Sequence, residues 1–366
     1  MLLLMEGMSV SDSFLVKSIF RDYRVEFVDN FADRLKDFAV NGAFFVVDAK
    51  VFDSYRQRIG GIIPSERLLL EEATESHKTL EHSSQVIKIL IEKKIRKNTV
   101  LVAVGGGIIQ DIAAFVGSIF LRGIEWVFFP TTLLAQADSC IGSKTSINFS
   151  GYKNVLGNFY PPSKVFIDLE FLGSLCESDI KSGIGEMLHY YFAAASPSAK
   201  GIAEEYDRLF ADRKRLHKYI RESLMIKKDV IERDEFDKGE RNLFNYGHTF
   251  GHAIETFTDY TVSHGQAVTL GMDIANYISW QRGMIDQATF NDMHGILIKN
   301  MPAFEMAQDQ LTRYLDILAK DKKNVGSELV CILTEGPGRM KRVRLPLDDR
   351  LEKLILACFE RRALKV

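Results

Sequence analysis

Apolar and polar residues in the first part of the chain form two kinds of segment in alternation. Residues 43–48 (AFFVVD) and 99–104 (NTVLVA) are short apolar runs rich in β-branched residues, followed by turn-like or glycine-rich sequence, as is typical of buried parallel strands. The segments SSQVIKILIEKKIRKN and IIQDIAAFVGSIF lie before and after the second run and place apolar residues at helical spacing. This alternation predicts an open α/β sheet.

From about residue 160 the pattern becomes mainly helical. Long helical stretches cover residues 178–196, 213–233 and 264–284, and the segments ELVCIL and RMKRVRLP interrupt the pattern late in the chain. The sequence YPPSK separates the two regions, because paired prolines favour an extended crossing over a helix. We therefore predict two domains, residues 1–160 and residues 161–366.

Composition narrows the class of protein. The formal net charge is −2, from 47 basic and 49 acidic residues, so we expect neither nucleic acid nor a membrane as a partner. The opening segment MLLLMEGMSVSD has too few consecutive apolar residues for a signal-peptide core or a membrane span. We therefore expect a cytoplasmic protein. Four cysteines lie far apart without a Cys-x-x-Cys pair, which predicts buried, reduced thiols.

The string LVAVGGGIIQD runs from an apolar strand through Gly105, Gly106 and Gly107 into a helix. Glycines at such a turn let the backbone approach a pyrophosphate, and the helix N-terminus offers free N–H groups to it. Gln110 stands where the dinucleotide fingerprint has its third glycine. An ordinary tight strand-to-helix turn is the alternative interpretation.

A loop-rich stretch, PTTLLAQADSCIGSKTSINFSGYKNVLGNFYPP, contains Lys144 and Lys153 among glycines and hydroxyl side chains. Lysines in such a setting can donate to a phosphate ester. Solvated surface lysines are an equally good interpretation of the spacing alone.

Four of the eight histidines fall in three segments: GIGEMLHYY, NYGHTFGHAIE and VSHGQAV. His248 and His252 are four residues apart and share one helix face, while His264 and Glu186 are the nearest further candidates. A catalytic zinc takes about three N or O ligands and keeps one position open. A lone pair of histidines on a helix is more often structural, but this cluster favours a metal site. The pair lacks the internal Glu of the His-Glu-x-x-His motif, which argues against a peptidase.

The segment KKDVIERDEFDKGERNLFN carries Lys227, Arg241 and Asn245 just before the histidines. Arg241 could hold a carboxylate through two parallel hydrogen bonds. A solvated charged helix is the alternative, and it is the better interpretation for the acidic residues of this segment.

Taken together, these strings resemble the 3-dehydroquinate synthase family of sugar phosphate cyclases. The matching segments appear in the family's order over residues from about 75 to 326; they are VGGGIIQD, FLRG, PTTLLAQADSCIGSKT, YKNVLGNFYPP, GEML, ERNLFNYGHTFGHAIE, HGQAVTLGM and DKKN. The resemblance implies an N-terminal Rossmann-like domain for NAD and a C-terminal helical domain for a divalent metal, usually zinc, with cobalt as an alternative. It also implies a homodimer with an active site in the cleft between the domains.

The resemblance assigns roles residue by residue. Glu186, His248 and His264 match the metal ligands, and His252 matches a histidine near the substrate phosphate. Lys227 and Arg241 match the pair that receives a substrate carboxylate. Positions that hold phosphate or hydroxyl groups are matched by Lys144, Lys153, Asn154, Asn245 and one or both of Lys322 and Lys323.

The NAD side is also matched. The corresponding residues are Asp48, Glu75, Lys78, Gly106, Gly107, Asp111, Thr131 and Thr132, together with Lys144 and Lys153, which are shared with the substrate. Asp138 matches a residue close to both nicotinamide and substrate. Arg122, in FLRG, corresponds to an arginine that reaches the partner subunit's phosphate site.

The resemblance implies a reaction in which NAD oxidises a metal-polarised secondary alcohol, phosphate leaves by β-elimination, the hydride returns, and an aldol step closes the ring. The predicted substrate is 3-deoxy-arabino-heptulosonate 7-phosphate and the product 3-dehydroquinate. Several positions depart from the family: His189 replaces a lysine, Ser143 and Gln110 replace glycines, and Gln266 replaces a glutamate. A specialised cyclase acting on another sugar phosphate is the second interpretation. A metal-dependent polyol dehydrogenase is the third, and a scaffold protein without catalysis is a fourth.

Overall fold

The computed structural model describes residues 12–320, 324, 326 and 328–363, which form two compact units that divide after Ser174. The first unit is an α/β domain. Its strands are β1 (Ser13–Val16), β2 (Tyr23–Phe27), β3 (Phe44–Asp48), β4 (Leu68–Glu71), β5 (Leu101–Gly105), β6 (Trp126–Pro130), β7 (Ile147–Phe149), β8 (Tyr152–Leu156) and β9 (Lys164–Ile167). Its α-helices are α1 (Phe31–Val40), α2 (Ala49–Ser54), α3 (Arg56–Ile59), α4 (Leu80–Glu92) and α5 (Gly107–Ile119).

Seven of these strands form one sheet in the order β1-β2-β9-β6-β5-β3-β4. All neighbours are parallel except β1 and β2. The chain moves outward from β3 to β4, returns to β5 and then continues on the other side through β6. Ligands of open parallel sheets bind at such a reversal, beyond the carboxyl ends of the strands.

The central strands are buried on both faces, which explains their continuous apolar sequence. Every residue of β5 and β6 is buried, as are the first four of β3. Phe45, Val47, Val102 and Val104 pack with Phe129 in the core of this unit. The strands are therefore fixed by their packing, and the residues that follow their carboxyl ends are placed with them.

The second unit is mainly helical, as predicted. It contains α6 (Glu177–Ala193), α7 (Ser198–Ala211), α8 (Leu216–Arg233), α9 (His248–Phe257), α10 (His264–Gln281), α11 (Gln287–Leu297), α12 (Leu311–Ala319) and α13 (Asp349–Ala363). The late apolar and basic segments form an antiparallel pair, β10 (Glu328–Thr334) and β11 (Met340–Pro346).

Helix α10 packs against both α6 and α9 through glycines. A Cβ atom on Gly185 would overlap the carbonyl oxygen of Gly265, and one on Gly265 would overlap that of Ser182. On the other side, a Cβ on Gly271 would overlap the carbonyl oxygen of Gly247, whose φ of +82° itself favours glycine. The three helix backbones therefore approach one another more closely than larger residues permit.

The structure confirms the predicted class, an α/β domain with an open sheet followed by a mainly helical domain. We expected a domain boundary near residue 160, whereas the two compact units divide after Ser174. The first unit extends past residue 160 because β9 lies inside its sheet, between β2 and β6. The prediction that all four thiols are buried is wrong for Cys176, which is exposed at the start of α6. Among the described helices, none has the length and apolar character needed to cross a membrane.

We predict that Gly185→Ala lowers the free energy of unfolding by about 2–3 kcal/mol, because the new methyl group meets backbone rather than a movable side chain. Gly295→Ala is the matched control: Gly295 is an exposed residue of α11, and a Cβ there meets nothing within 4 Å, so this change should be neutral or stabilise by up to about 1 kcal/mol. Urea unfolding of the metal-free variants measures both. Equal stability of the two variants would show that the glycine contact is not tight.

Candidate metal centre and nucleotide-binding edge

Three side chains from three helices meet in the second unit. Glu186 lies on α6, His248 begins α9 and His264 begins α10. Their ligand atoms all lie within 4.8 Å of one another. Glu186 Oε1 is 2.9 Å from His264 Nε2 and 3.6 Å from His248 Nε2. Two imidazoles and a carboxylate are a ligand set that suits catalytic zinc.

The remaining ring nitrogens of both histidines are already engaged. His264 Nδ1 donates to Glu255 Oε2 at 3.0 Å, and His248 Nδ1 donates to the carbonyl oxygen of Tyr246 at 3.3 Å. These bonds place a proton on Nδ1 of each ring, so the Nε2 atom, which faces Glu186, is the nitrogen available to a metal. Glu186 Oε1 is buried and has no hydrogen-bond partner among the described residues. Two imidazole Nε2 atoms and a buried carboxylate oxygen converge, so the group fits a bound cation once His264 has lost its second proton.

The pKa values of the group follow from burial and charge. Burial by itself would raise the pKa of Glu186, but His248, His189 and His264 hold it well below its usual value. Burial lowers the pKa of His248, and Glu186 offsets this only in part. For His264, burial would lower the pKa, but Glu186 and Glu255 raise it well above the usual value. The carboxylate is therefore ionised, and metal binding releases a proton from His264.

His189 and His252 both lie beside this group, each with its ring next to that of His248. His189 is almost fully buried, its Nδ1 donates to the carbonyl oxygen of Glu186 at 2.9 Å, and its Nε2 has no partner among the described residues. Its ring centroid is 5.0 Å from that of His248. His252 is exposed, and its ring stacks on that of His264 at 5.6 Å. The pair predicted by spacing is therefore split, with His248 turned to Glu186 and His252 grouped with Glu255 and His264.

Three further predicted residues lie in or after α8. Lys227 is buried on this helix. Arg241 and Asn245 lie in the 3₁₀ segment Glu240–Asn245, where Arg241 Nη1 donates to the carbonyl oxygen of Glu235 at 2.6 Å and Asn245 Nδ2 to that of Asn242 at 3.0 Å. The backbone bond fixes one nitrogen of the Arg241 guanidinium, which limits how the other can move.

In the first unit, the predicted NAD residues gather at the carboxyl edge of the sheet. Asp48 ends β3, Gly106 and Gly107 follow β5, and Thr131 and Thr132 follow β6. A Cβ on Gly106 would lie 2.9 Å from Thr132 Cγ2, so a larger residue there would force the Thr132 side chain to move. The hydroxyl of Thr131 is buried without a hydrogen-bond partner among the described residues. A glycine cradle beside an orphaned hydroxyl fits a dinucleotide at this edge.

Asp111, on α5, is the most perturbed acid of this edge. Its Oδ2 lies 2.7 Å from Lys78 Nζ. Burial raises the pKa of Asp111 to about 6, although Lys78 acts in the opposite direction. Nearby, Glu75 Oε1 accepts from Asn148 Nδ2 at 2.8 Å and lies 3.8 Å from Lys153 Nζ. The structure thus brings Lys78 to Asp111 and Lys153 to Glu75.

Gln110 makes contacts that a glycine at this position would lack. Its Nε2 donates to the carbonyl oxygen of Ser139, and its Oε1 accepts from the Ser139 hydroxyl, both at 2.6 Å. Ser139 ends the π-helical segment Ala135–Ser139, which also carries Asp138. Gln110 therefore links the nucleotide turn to the segment that holds Asp138.

The predicted phosphate residues lie on exposed structure. Lys153 and Asn154 belong to β8, which pairs with β7, and Lys144 forms an isolated bridge to Phe159. Asn154 adopts φ +53°, and its backbone N–H donates to Asn148 Oδ1 at 2.9 Å. Arg122 is exposed in the 3₁₀ turn Phe120–Arg122 at φ +60°. Lys322 and Lys323 lie outside the described residues.

Two family models match this chain in tandem. The model for the N-terminal part of 3-dehydroquinate synthase matches residues 68–182, and that for the C-terminal part matches residues 183–324. Together they cover more than half of the chain. The chain belongs to the 3-dehydroquinate synthase family. It is an enzyme of this type, a carbon–oxygen lyase, and the resemblance found in the sequence is confirmed.

Individual relatives agree with this assignment. The 3-dehydroquinate synthase of Alkaliphilus metalliredigens (strain QYMF) is 36% identical over 309 residues, which is 83% of this chain and 86% of the relative. A 2-deoxy-scyllo-inosose synthase, solved with carbaglucose-6-phosphate, NAD+ and Co2+, is similar in fold with a TM-score of 0.79 at 22% identity, covering 94% of this chain and 99% of the other. The 2-epi-5-epi-valiolone synthase of Streptomyces hygroscopicus subsp. jinggangensis 5008, with NAD+ and Zn2+ bound, gives 0.81 at 21% identity, covering 99% of each chain.

Sequence reasoning missed Glu255, which orients His264, and the role of Gln110 as a link to Ser139. Glu255 ends the string NYGHTFGHAIE and lies one helical turn after His252. Its spacing therefore signalled a position near the histidines. The spacing did not show which histidine it would contact.

We predict that Glu255→Gln lowers zinc affinity by about 10- to 100-fold, because the carboxylate that orients the His264 ring is lost while every ligand remains. Glu92→Gln is the control, since Glu92 is an exposed residue of α4 that forms an ion pair with the exposed Lys88 at 4.0 Å. Competition titration against a metal chelator measures both variants. An unchanged affinity in Glu255→Gln would remove Glu255 from the metal site.

Proposed function

We propose that this enzyme converts 3-deoxy-arabino-heptulosonate 7-phosphate to 3-dehydroquinate with elimination of phosphate, and that it uses NAD and a divalent metal. The observation that carries the proposal is the group of Glu186, His248 and His264, in which two imidazole Nε2 atoms and a buried carboxylate oxygen converge. Family membership supports the reaction, and the related structures with NAD+ and Zn2+ or Co2+ support the cofactors. In the cell, such a reaction belongs to the shikimate pathway of aromatic amino acid biosynthesis, and we propose a cytoplasmic location.

When bound, NAD accepts a hydride and the divalent metal polarises a secondary alcohol of the substrate. Glu186, His248 and His264 would hold the metal. The residues at the carboxyl edge of the sheet would hold NAD; they are Asp48, Gly106, Gly107, Thr131 and Thr132. In our proposal Lys144, Lys153 and Asn154 donate to the phosphate ester from the loop and hairpin that carry them.

Lys227 and Arg241 make a substrate with a carboxylate the better choice. A guanidinium matches a carboxylate in plane and charge, and the buried ammonium of Lys227 would add a second positive charge for the same carboxylate. Asn245 and His252 contribute hydrogen bonds to hydroxyl or phosphate groups, and Asp138 lies near the reacting carbon in our proposal. These roles would account for charged groups that a sugar phosphate without a carboxylate would not need.

His189 favours the second candidate, a specialised cyclase for another sugar phosphate. The family lysine at this position would offer a flexible ammonium, whereas the His189 ring is buried against Glu186 and His248 and is fixed by the bond to the Glu186 carbonyl. A substrate whose binding or turnover needs an ammonium group at this position would be a poor substrate for this enzyme. A polyol dehydrogenase remains the third candidate, since such an enzyme would also use NAD and a metal.

The deciding experiment incubates purified protein with the heptulosonate phosphate, zinc and catalytic NAD, and measures phosphate together with the product by mass and NMR. We expect one phosphate per 3-dehydroquinate and no accumulation of NADH. Glu186→Gln is the control and should lose turnover by at least about 100-fold, because the metal loses its carboxylate ligand.

Two results would contradict the proposal. Stoichiometric NADH from glycerol would indicate the dehydrogenase. Absence of turnover while NAD and metal are bound would indicate another sugar phosphate. In that case His189→Lys should restore activity on the heptulosonate phosphate if the missing ammonium is the cause.

We also propose a homodimer in which Arg122 serves the partner's phosphate site. Arg122 lies beside two exposed apolar side chains, Ile119 and Leu121. Lys97 Nζ binds the carbonyl oxygens of Leu121 at 3.0 Å and Arg122 at 3.2 Å, and also that of Gly123. Leu121 and Arg122 in this turn adopt a strained left-handed conformation. An exposed arginine flanked by exposed apolar side chains suits a contact with another protein.

Mixing two inactive variants tests this arrangement. After joint unfolding and refolding of Arg122→Ala with Glu186→Gln, we expect about one quarter of wild-type activity, because about half of the dimers are mixed and one of their two sites is complete. If Arg122 acts within its own subunit, both sites of a mixed dimer are defective and no activity returns. Refolded wild-type protein provides the reference.

A further inference from the structure

A second cluster of metal-binding side chains lies in the first unit, apart from the group of Glu186. Glu71 is the last residue of β4, His77 lies in the turn that follows, and His82 is in the first turn of α4. Glu71 Oε1 is 3.0 Å from His77 Nδ1 and 2.7 Å from His82 Nε2. The three ligand atoms all lie within 4.8 Å of one another. One strand end and one helix start thus converge on a single carboxylate oxygen.

The electrostatics of this cluster favour a dication. The Glu71 side chain is only 4% exposed, so its charge is removed from water and requires a positive partner. His82 Nε2 is buried and makes no hydrogen bond with the described residues, although Glu71 Oε1 lies 2.7 Å away. The same combination, a close contact without a hydrogen bond, marks Glu186 Oε1 in the other group.

Protonated imidazoles are the alternative partner. The His77 and His82 rings are stacked, with centroids 4.5 Å apart and planes 19° apart. Two protonated rings in this arrangement would repel each other. With one ring protonated or both neutral, the two N–H groups could share the lone pairs of Glu71 Oε1, and the zinc measurements below distinguish this metal-free arrangement from a bound ion. A single divalent ion satisfies both nitrogens and the oxygen together, in place of the bond from His77 Nδ1.

We propose that Glu71 Oε1, His77 Nδ1 and His82 Nε2 bind a divalent transition metal ion such as zinc. Bonds of about 2.1 Å to a tetrahedral ion separate neighbouring ligand atoms by about 3.4 Å. The two distances to Glu71 therefore need to lengthen by about half an ångström. His77 is one-third exposed and provides an entry path, and water completes the coordination.

Such an ion would fix the turn that carries Glu75 and Lys78. This turn is otherwise held by the Lys78–Asp111 ion pair and by the bond from the Asn148 N–H to the carbonyl oxygen of Lys78, at 2.7 and 2.8 Å. The ion adds a link from the end of β4 to the start of α4. Its role is structural, at the edge where we expect NAD.

The test measures metal content and zinc affinity of the full-length protein and its variants. Purified protein is loaded with excess zinc, dialysed and analysed for zinc per protomer. His77→Ala and His82→Ala remove ligands of the proposed site, and His264→Ala removes a ligand of the other group. His217→Ala is the matched control, because His217 lies on α8 outside all three ligand clusters.

We expect two zinc ions per protomer in the wild type and in His217→Ala. His77→Ala, His82→Ala and His264→Ala should each retain one, with at least about 100-fold weaker binding at the altered site. One ion that is lost only in His264→Ala would overturn the inference, as would two ions that persist in both His77→Ala and His82→Ala. One ion lost in His77→Ala but retained in His264→Ala would support this site and contradict the metal site of the proposed function.

A second measurement covers the case in which the His77 and His82 variants fail to fold. In His264→Ala, cobalt replaces zinc, and tetrahedral Co2+ has a visible absorption band. A saturable band at one equivalent supports the proposed site, and no cobalt binding overturns it.

Discussion

Close contact between glycines is the constraint on which the metal centre depends. Gly185 and Gly265 let α6 and α10 touch backbone to backbone, and Gly247 with Gly271 does the same for α9 and α10. Each ligand of the group is a sequence neighbour of one of these glycines: Glu186 follows Gly185, His248 follows Gly247, and His264 precedes Gly265. The separation of the helix backbones therefore sets the separation of the ligand atoms.

A buried carboxylate at this crossing creates the demand for a cation. Glu186 is removed from water, and the imidazoles beside it are oriented by Glu255 and by the Tyr246 carbonyl so that their Nε2 atoms face it. Burying a charge without a partner is costly, and the neighbouring histidines hold the pKa of Glu186 well below its usual value, so the carboxylate stays ionised. The same groups that destabilise the empty site are those that bind a metal strongly.

The parallel sheet plays the corresponding part in the first unit. Because its central strands are buried, parallel and in register, the residues that follow β3, β5 and β6 all lie at one edge of the sheet. Hydrogen bonds between distant segments then refine this edge, as Gln110 does with Ser139 and Lys78 with Asp111. At the same edge, the end of β4 carries Glu71, whose histidine neighbours resemble the first metal group in their chemistry.

The sequence by itself determined the alternation of strands and helices, the glycine turn after β5, the helical second half and the set of histidines, because these depend on local periodicity and on residue chemistry. It also sufficed to recognise the family. Only the tertiary structure decided that Glu255 orients His264, that Gln110 is bonded to Ser139, that β9 belongs to the first sheet and that Cys176 is exposed. These features depend on contacts between residues distant in the chain, where burial and helix crossing select one geometry from several that the same local spacing allows.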